Sequence, residues 1–132
     1  MVRAGSRCHA GQVPPTLLIV DDHAGFRAFA RAMLESEGFE VVGEAVDAAG
    51  AVVECRRLEP DLVLLDVILP DGDGFDVCEQ LTECGSLPRV VILTSSRDAE
   101  AYADRLASTS ARGFLPKEQL TGAALLALGG AR

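Results

Sequence analysis

No run of the chain approaches the roughly 20 uninterrupted apolar residues that a membrane span needs, and Met1 to Pro15 has no apolar middle of the kind a signal peptide carries. These absences assign the chain to the cytoplasm and set aside a membrane role. The cysteines Cys8, Cys55, Cys78 and Cys84 form no CxxC pair, and the spacing of Cys78 and Cys84 does not place both on one metal. Reduced thiols are expected, because a chain of this size builds a core without disulfide staples. Positive charge is scarce: 12 Lys and Arg face 20 Asp and Glu, for a formal net charge of -8, and Lys117 is the single lysine. Such a surface repels nucleic acid and anionic membrane, so these residues are not expected to bind DNA. There is no internal repeat, no low-complexity tract and no Gly-rich loop that would cradle a nucleotide phosphate.

What is present fits one domain: 132 residues, of which 48% are hydrophobic. Residues 1–16 mix Gly, Ser, Arg, His and Pro without period and read as a disordered leader; residues 17–132 read as the folded domain. From Leu17, short apolar runs alternate with helical segments, the pattern of βαβ units and a parallel sheet. The first strand, Leu17 to Val20, is continuously apolar and stops at Asp21-Asp22. Phe26, Phe29, Ala30, Met33 and Leu34 recur at helical spacing as core residues before Gly38 ends the helix. A second strand spans Glu40 to Ala45. Asp47 then caps a helix whose inward face is Ala48, Ala51, Val52, Cys55 and Leu58. The third strand runs from Asp61 to Val67, and Pro70 with Gly72 and Gly74 forces a loop before a helix over Phe75–Glu83. Arg89 to Leu93 forms a fourth strand, followed by a helix over Asp98–Ser108 with Tyr102 and Leu106 on one side. Arg112 to Leu115 is the fifth. Thr121 caps a short last helix, stapled by Leu120 and Leu125; Leu125, Leu126 and Leu128 crowd it, and either all three pack in the core or one of them is exposed to join a partner.

Open parallel sheets bind ligands outside the carboxyl ends of their strands. Here those ends carry Asp21 and Asp22, Asp66, Thr94 and Lys117, while strand two offers nothing comparable, as an outermost strand would. Two unit charges about 4 Å apart repel by about 4 kcal/mol at an effective dielectric near 20, so gathered carboxylates call for a cation. Mg²⁺ suits them, being a hard ion that takes oxygen ligands and keeps several waters. With the Lys117 charge and the Thr94 hydroxyl, the set reads as a phosphoryl-handling site with a carboxylate acceptor.

Val20-Asp21-Asp22-His23, Leu65 to Gly72, Leu93-Thr94-Ser95 and Gly113 to Lys117, in that order, resemble the receiver domain of two-component response regulators, similar to the chemotaxis regulator. The likeness covers Leu17 to about Leu128. It implies an α/β, flavodoxin-like doubly wound sheet of five parallel strands in order 2-1-3-4-5 with helices on both faces. It also implies Asp66 as phosphoryl acceptor from a sensor histidine kinase or phosphotransfer protein. Asp21, Asp22, Asp66 and the backbone carbonyl of Ile68 become the Mg²⁺ ligands, with Thr94 the switch hydroxyl, Phe114 the switch aromatic and Lys117 the partner of Asp66 or its phosphate. Output is expected through helix four, strand five and helix five, to an unidentified protein or to a second copy on phosphorylation. The protein is then a switch that catalyses its own phosphorylation and dephosphorylation, not an enzyme acting on other substrates.

Two features depart from the pattern. Position 68, where the family often has a polar residue or Met, is Ile; with Ser96 it affects the water that hydrolyses the phosphoryl group, and an apolar Ile68 is expected to slow that step. Receivers with Asp22-His23 and Phe26-Arg27 usually precede a helix-turn-helix DNA-binding domain, and none follows within these 132 residues. Other readings are weaker. A calcium loop begun at Asp71 would need an acid where Thr82 stands. A dehalogenase-type phosphatase would place its Asp-x-Asp at the end of a strand, which Asp71 and Asp73 do not occupy. A receiver without chemistry would lack Asp66, Lys117 or the acidic pair. His23 reads as a capping or surface residue, and His9 takes no role.

Overall fold

The computed structural model describes residues 14–83 and 90–129. Its strands are β1 (Thr16–Val20), β2 (Glu40–Ala45), β3 (Leu62–Asp66), β4 (Val90–Ser95) and β5 (Gly113–Pro116). They form one parallel sheet in the order β2-β1-β3-β4-β5, the flavodoxin-like order expected. The helices are α1 (Ala24–Ser36), α2 (Ala48–Leu58), α3 (Gly74–Glu83), α4 (Ala103–Leu106) and α5 (Gly122–Gly129).

Continuous apolar runs make the central strands because both faces of the sheet are covered. Side chains alternate across a strand, so each run feeds two cores. Leu18, Val20, Val63, Leu65, Val91 and Leu93 meet α2 and α3 through Ala51, Cys55, Phe75, Cys78 and Leu81. Leu17, Ile19, Leu64 and Ile92 meet α1 and α5 through Ala30, Leu34 and Leu125. Asp47 caps α2 by accepting from the Gly50 N–H at 2.7 Å, and Thr121 caps α5 by accepting from the Ala124 N–H at 3.0 Å. Gly38 ends α1 at φ +101°, a conformation glycine adopts without a Cβ penalty.

The structure departs from the sequence pattern in five places. β1 begins at Thr16, inside the segment read as leader, because Thr16 exchanges hydrogen bonds with Asp61: its N–H donates to Oδ2 at 3.0 Å and its Oγ1 accepts at 2.8 Å. Phe29 is 55% exposed; it lies at the edge of the α1 stripe, beside Phe26, and does not enter the core. β4 continues through Thr94 and Ser95, since both pair with β5. The helix expected over Asp98–Ser108 is a 3-10 turn (Ala99–Tyr102) followed by the single turn of α4; Tyr102 and Leu106 do pack on one side, but both stay half-buried, which gives a longer helix little to hold it. The loop after β3 contains a small antiparallel hairpin, Ile68–Leu69 against Gly72–Asp73, turning at Pro70-Asp71. In α5, Leu125 is fully buried, Leu128 is half-buried and Leu126 is 37% exposed. The expectations for residues 1–13, for Cys84 to Arg89 and for the last three residues lie outside the described residues.

Candidate functional site

β1 and β3 are neighbours in the sheet, so Asp21 and Asp66 emerge side by side at its carboxyl edge. Both are buried, Asp21 completely. Register places Thr94 opposite Asp66 on β4, and Lys117 follows β5 directly, so the topology gathers the strand-end residues singled out in the sequence at one edge. A pocket of about 320 Å³ opens over them, lined by Asp22, His23, Asp66, Ile68, Ser96 and Lys117 among others.

The charges are balanced unevenly. Lys117 Nζ lies 2.7 Å from Asp21 Oδ2 but 3.5 Å from Asp66 Oδ2, and 4.6 Å from the centre of the Phe26 ring. The short contact to Asp21 is a charge approach without hydrogen-bond alignment, and Asp21 Oδ2 is buried with no hydrogen-bond donor. Burial, and then the neighbouring Asp21 carboxylate, push Asp66 up to about 6, against the pull of Lys117 and of the Ile68 N–H, which donates to Asp66 Oδ1 at 3.2 Å. One oxygen of each of Asp21, Asp22 and Asp66 and one His23 ring nitrogen lie within 4.8 Å of one another. Three clustered carboxylates, one fully buried, with a single ammonium among them keep an excess of negative charge and fit a hard divalent cation.

The remaining residues stand at different distances from this centre. Thr94 Oγ1 donates to the Leu115 carbonyl at 2.6 Å, so its hydroxyl is engaged with β5 and not with Asp66. Ile68 is 54% exposed at the pocket rim, and Ser96 is also exposed. Phe114 sits apart, half-buried against Tyr102 with ring centres 5.7 Å apart; Tyr102 in turn packs on Phe75 at 5.8 Å and shares a hydrogen bond with the buried Ser95 hydroxyl at 3.0 Å.

Three contributors escaped the sequence reading. Arg27 Nη1 donates to the Asp21 carbonyl at 2.8 Å while its Nε donates to Glu44 Oε1 at 2.9 Å, tying α1 and β2 to the acidic corner. Asp71 accepts from the Ala48 and Ala49 N–H groups at 2.6 and 3.1 Å, which lowers its pKa and pins the loop after Asp66 to the start of α2. Gly74 packs so closely on the Asp66 and Val67 backbone that a Cβ there would lie 2.8 Å from Val67 Cα. The Phe26-Arg27 pair that follows Asp22-His23 was the available hint for Arg27; for Asp71 and Gly74 the turn composition hid the long-range contact.

Residues 17–127 match the response regulator receiver domain family. The chain belongs to that family. This receiver is 38% identical over 106 residues to the nitrate/nitrite response regulator NarP of Escherichia coli, covering 80% of this chain and 49% of NarP. It is 35% identical over 116 residues to the transcriptional regulatory protein PdtaR of Mycobacterium tuberculosis, covering 82% and 57%. The chain thus spans about half the length of the curated relatives it matches. Among solved structures it superposes on the receiver domain of NarL from Mycobacterium tuberculosis with a TM-score of 0.82 at 31% identity, over 92% of this chain and 100% of that one. A CheX–CheY–BeF3–Mg²⁺ complex from Borrelia burgdorferi gives a TM-score of 0.74 at 27% identity, over 90% and 89%. The receiver is therefore a signalling module of the two-component type, in which an aspartate takes up a phosphoryl group. No described helix is long and apolar enough to cross a membrane.

Proposed function

We propose that Asp66 is the phosphoryl acceptor, that a sensor histidine kinase or phosphotransfer protein supplies the group, and that the reaction requires Mg²⁺. The observation that carries this reading is the buried Asp66 carboxylate at the floor of an open pocket, flanked by Asp21, Asp22 and Lys117. The Mg²⁺ in the complex of the Borrelia relative supports the choice of ion.

Asp66 is the nucleophile: a carboxylate oxygen attacks phosphorus, a new O–P bond forms, and the P–N bond of the donor phosphohistidine breaks with its electron pair leaving on the imidazole. The Asp21, Asp22 and Asp66 carboxylates and the Ile68 carbonyl would hold Mg²⁺, which when bound neutralises charge on the transferring group. Lys117 lies close enough to Asp66 to pair with a phosphoryl oxygen. Thr94 would exchange its bond to Leu115 for one to the phosphate, and Phe114 would turn into the space released; the size of the switch equals the preference of the phosphate for that second arrangement. Output through α4, β5 and α5, to a partner or a second copy, follows from the same reading.

The deciding measurement is intact-protein mass after incubation with Mg²⁺ and acetyl phosphate. One added phosphoryl group is expected on the wild type and none on Asp66→Ala; a folded wild type that gains nothing would overturn the assignment. Ile68 stands where an apolar side chain shields the phosphoryl group from water. Ile68→Asn is expected to shorten the phosphoryl lifetime several-fold, and a lifetime unchanged by the substitution would remove Ile68 from that role.

A further inference from the structure

We propose that His23 makes the acidic corner a site for transition-metal ions of the Zn²⁺ and Cu²⁺ class, its Nδ1 joining the Asp21, Asp22 and Asp66 carboxylates, and that such ions displace Mg²⁺. The inference rests on the metal site of the preceding section and adds a nitrogen ligand to it.

Four observations converge. His23 occupies the N-cap position of α1, yet its ring makes no capping hydrogen bond. Instead the ring turns back, with Nδ1 in a 3.2 Å hydrogen bond with Asp21 Oδ1 and 3.2 Å from Asp22 Oδ1. Two donor atoms each about 2.1 Å from one ion stand roughly 3.0–3.4 Å apart, between octahedral and tetrahedral angles, so both spacings suit a shared ion. The carboxylates and the ring nitrogen form one cluster, and the fully buried Asp21 has only the Lys117 ammonium, 2.7 Å from its Oδ2, to offset its charge.

Ligand chemistry then sets the selectivity. Mg²⁺ takes oxygen and gains little from an imidazole, whereas Zn²⁺, Cu²⁺ and Ni²⁺ bind imidazole well and hold a given N/O site more tightly. The His23 side chain is 69% exposed, so the ring can reach an ion without breaking the core. A transition-metal ion held by four side chains would occupy the place that Mg²⁺ shares with the incoming phosphoryl group.

The chain has two histidines, His9 and His23. Electron paramagnetic resonance is therefore recorded with one equivalent of Cu²⁺ on the full chain carrying Cys8→Ser and His9→Ala, where His23 is the only imidazole. Nitrogen superhyperfine splitting from one imidazole is expected, and it should vanish when His23→Ala is added. In a second measurement Mn²⁺ stands in for Mg²⁺, and Zn²⁺ is titrated against bound Mn²⁺. Release from His23→Ala should need about tenfold more Zn²⁺ than release from its parent, while Mn²⁺ affinity itself changes less than about twofold. Absent splitting, splitting that survives His23→Ala, or equal Zn²⁺ demand with Mn²⁺ bound normally would overturn the role of His23 alone. Failure of Mn²⁺ to bind the parent would overturn the metal site as well.

Discussion

Lys117→Ala should slow phosphoryl uptake by about 10²–10³-fold while tightening Mg²⁺ binding by about tenfold. The two effects have opposite signs because the ammonium serves two charges at different moments. In the free receiver it neutralises Asp21 at 2.7 Å and, more weakly, Asp66 at 3.5 Å, so it competes with a cation for the same carboxylates. During transfer it faces the phosphoryl oxygens, where losing one preorganised positive group removes about 2.7–4 kcal/mol of stabilisation. The Phe26 ring, 4.6 Å away, keeps the ammonium in place without adding a formal charge. Calorimetric Mg²⁺ titration and the initial rate of mass gain with acetyl phosphate measure the two effects separately. Uptake at the wild-type rate would remove Lys117 from the reaction, and unchanged Mg²⁺ affinity would show that its contact with Asp21 yields without cost.

Much of this is legible in the sequence, and the reason is periodicity. Runs such as Leu17 to Val20 and Leu62 to Leu65 signal strands buried on both faces, and the polar residues that end them fall at one sheet edge because the strands are parallel. What the pattern misses is set by contacts between distant residues. Lys117 resembles the family's partner of Asp66, yet its shortest contact is to Asp21. Thr94 stands at the expected position with its hydroxyl committed to Leu115, a matter of rotamer and not of register. The 98–108 segment contains good helix formers, but its inward side chains Tyr102 and Leu106 are only half-buried, and one α-helical turn forms after the 3-10 turn. Phe29 matches the helical spacing of its apolar neighbours and still faces solvent, since a stripe wide enough to include it is wider than the contact with the sheet. Arg27 becomes part of the site only through a carbonyl six residues earlier and a glutamate on β2.

Asp66→Asn should stabilise the Mg²⁺-free receiver at neutral pH, a direction opposite to most substitutions of buried residues. Burial and the Asp21 charge hold the Asp66 carboxyl at about 6 in the folded chain, above its ordinary 3.8. A carboxyl whose folded value is raised favours folding below the unfolded value, and that contribution is lost as pH rises through about 6. At pH 7 the ionised carboxylate therefore weighs against the fold, and an asparagine of similar shape removes the charge while keeping a polar group for the Ile68 N–H. The gain is on the order of 2 kcal/mol, or a melting temperature roughly 5–10 °C higher for a domain of this size. It should shrink toward zero near about pH 4, where the wild-type carboxyl is protonated. Added Mg²⁺ should narrow it again at neutral pH, because an ion that binds the folded carboxylate stabilises the wild type by mass action. Thermal melts of both proteins in chelator across this range, and then with Mg²⁺, measure the whole pattern. A variant that melts below the wild type at neutral pH in chelator would mean that Lys117 already offsets the buried charge, and that Asp66 stands ionised and satisfied before any cation arrives.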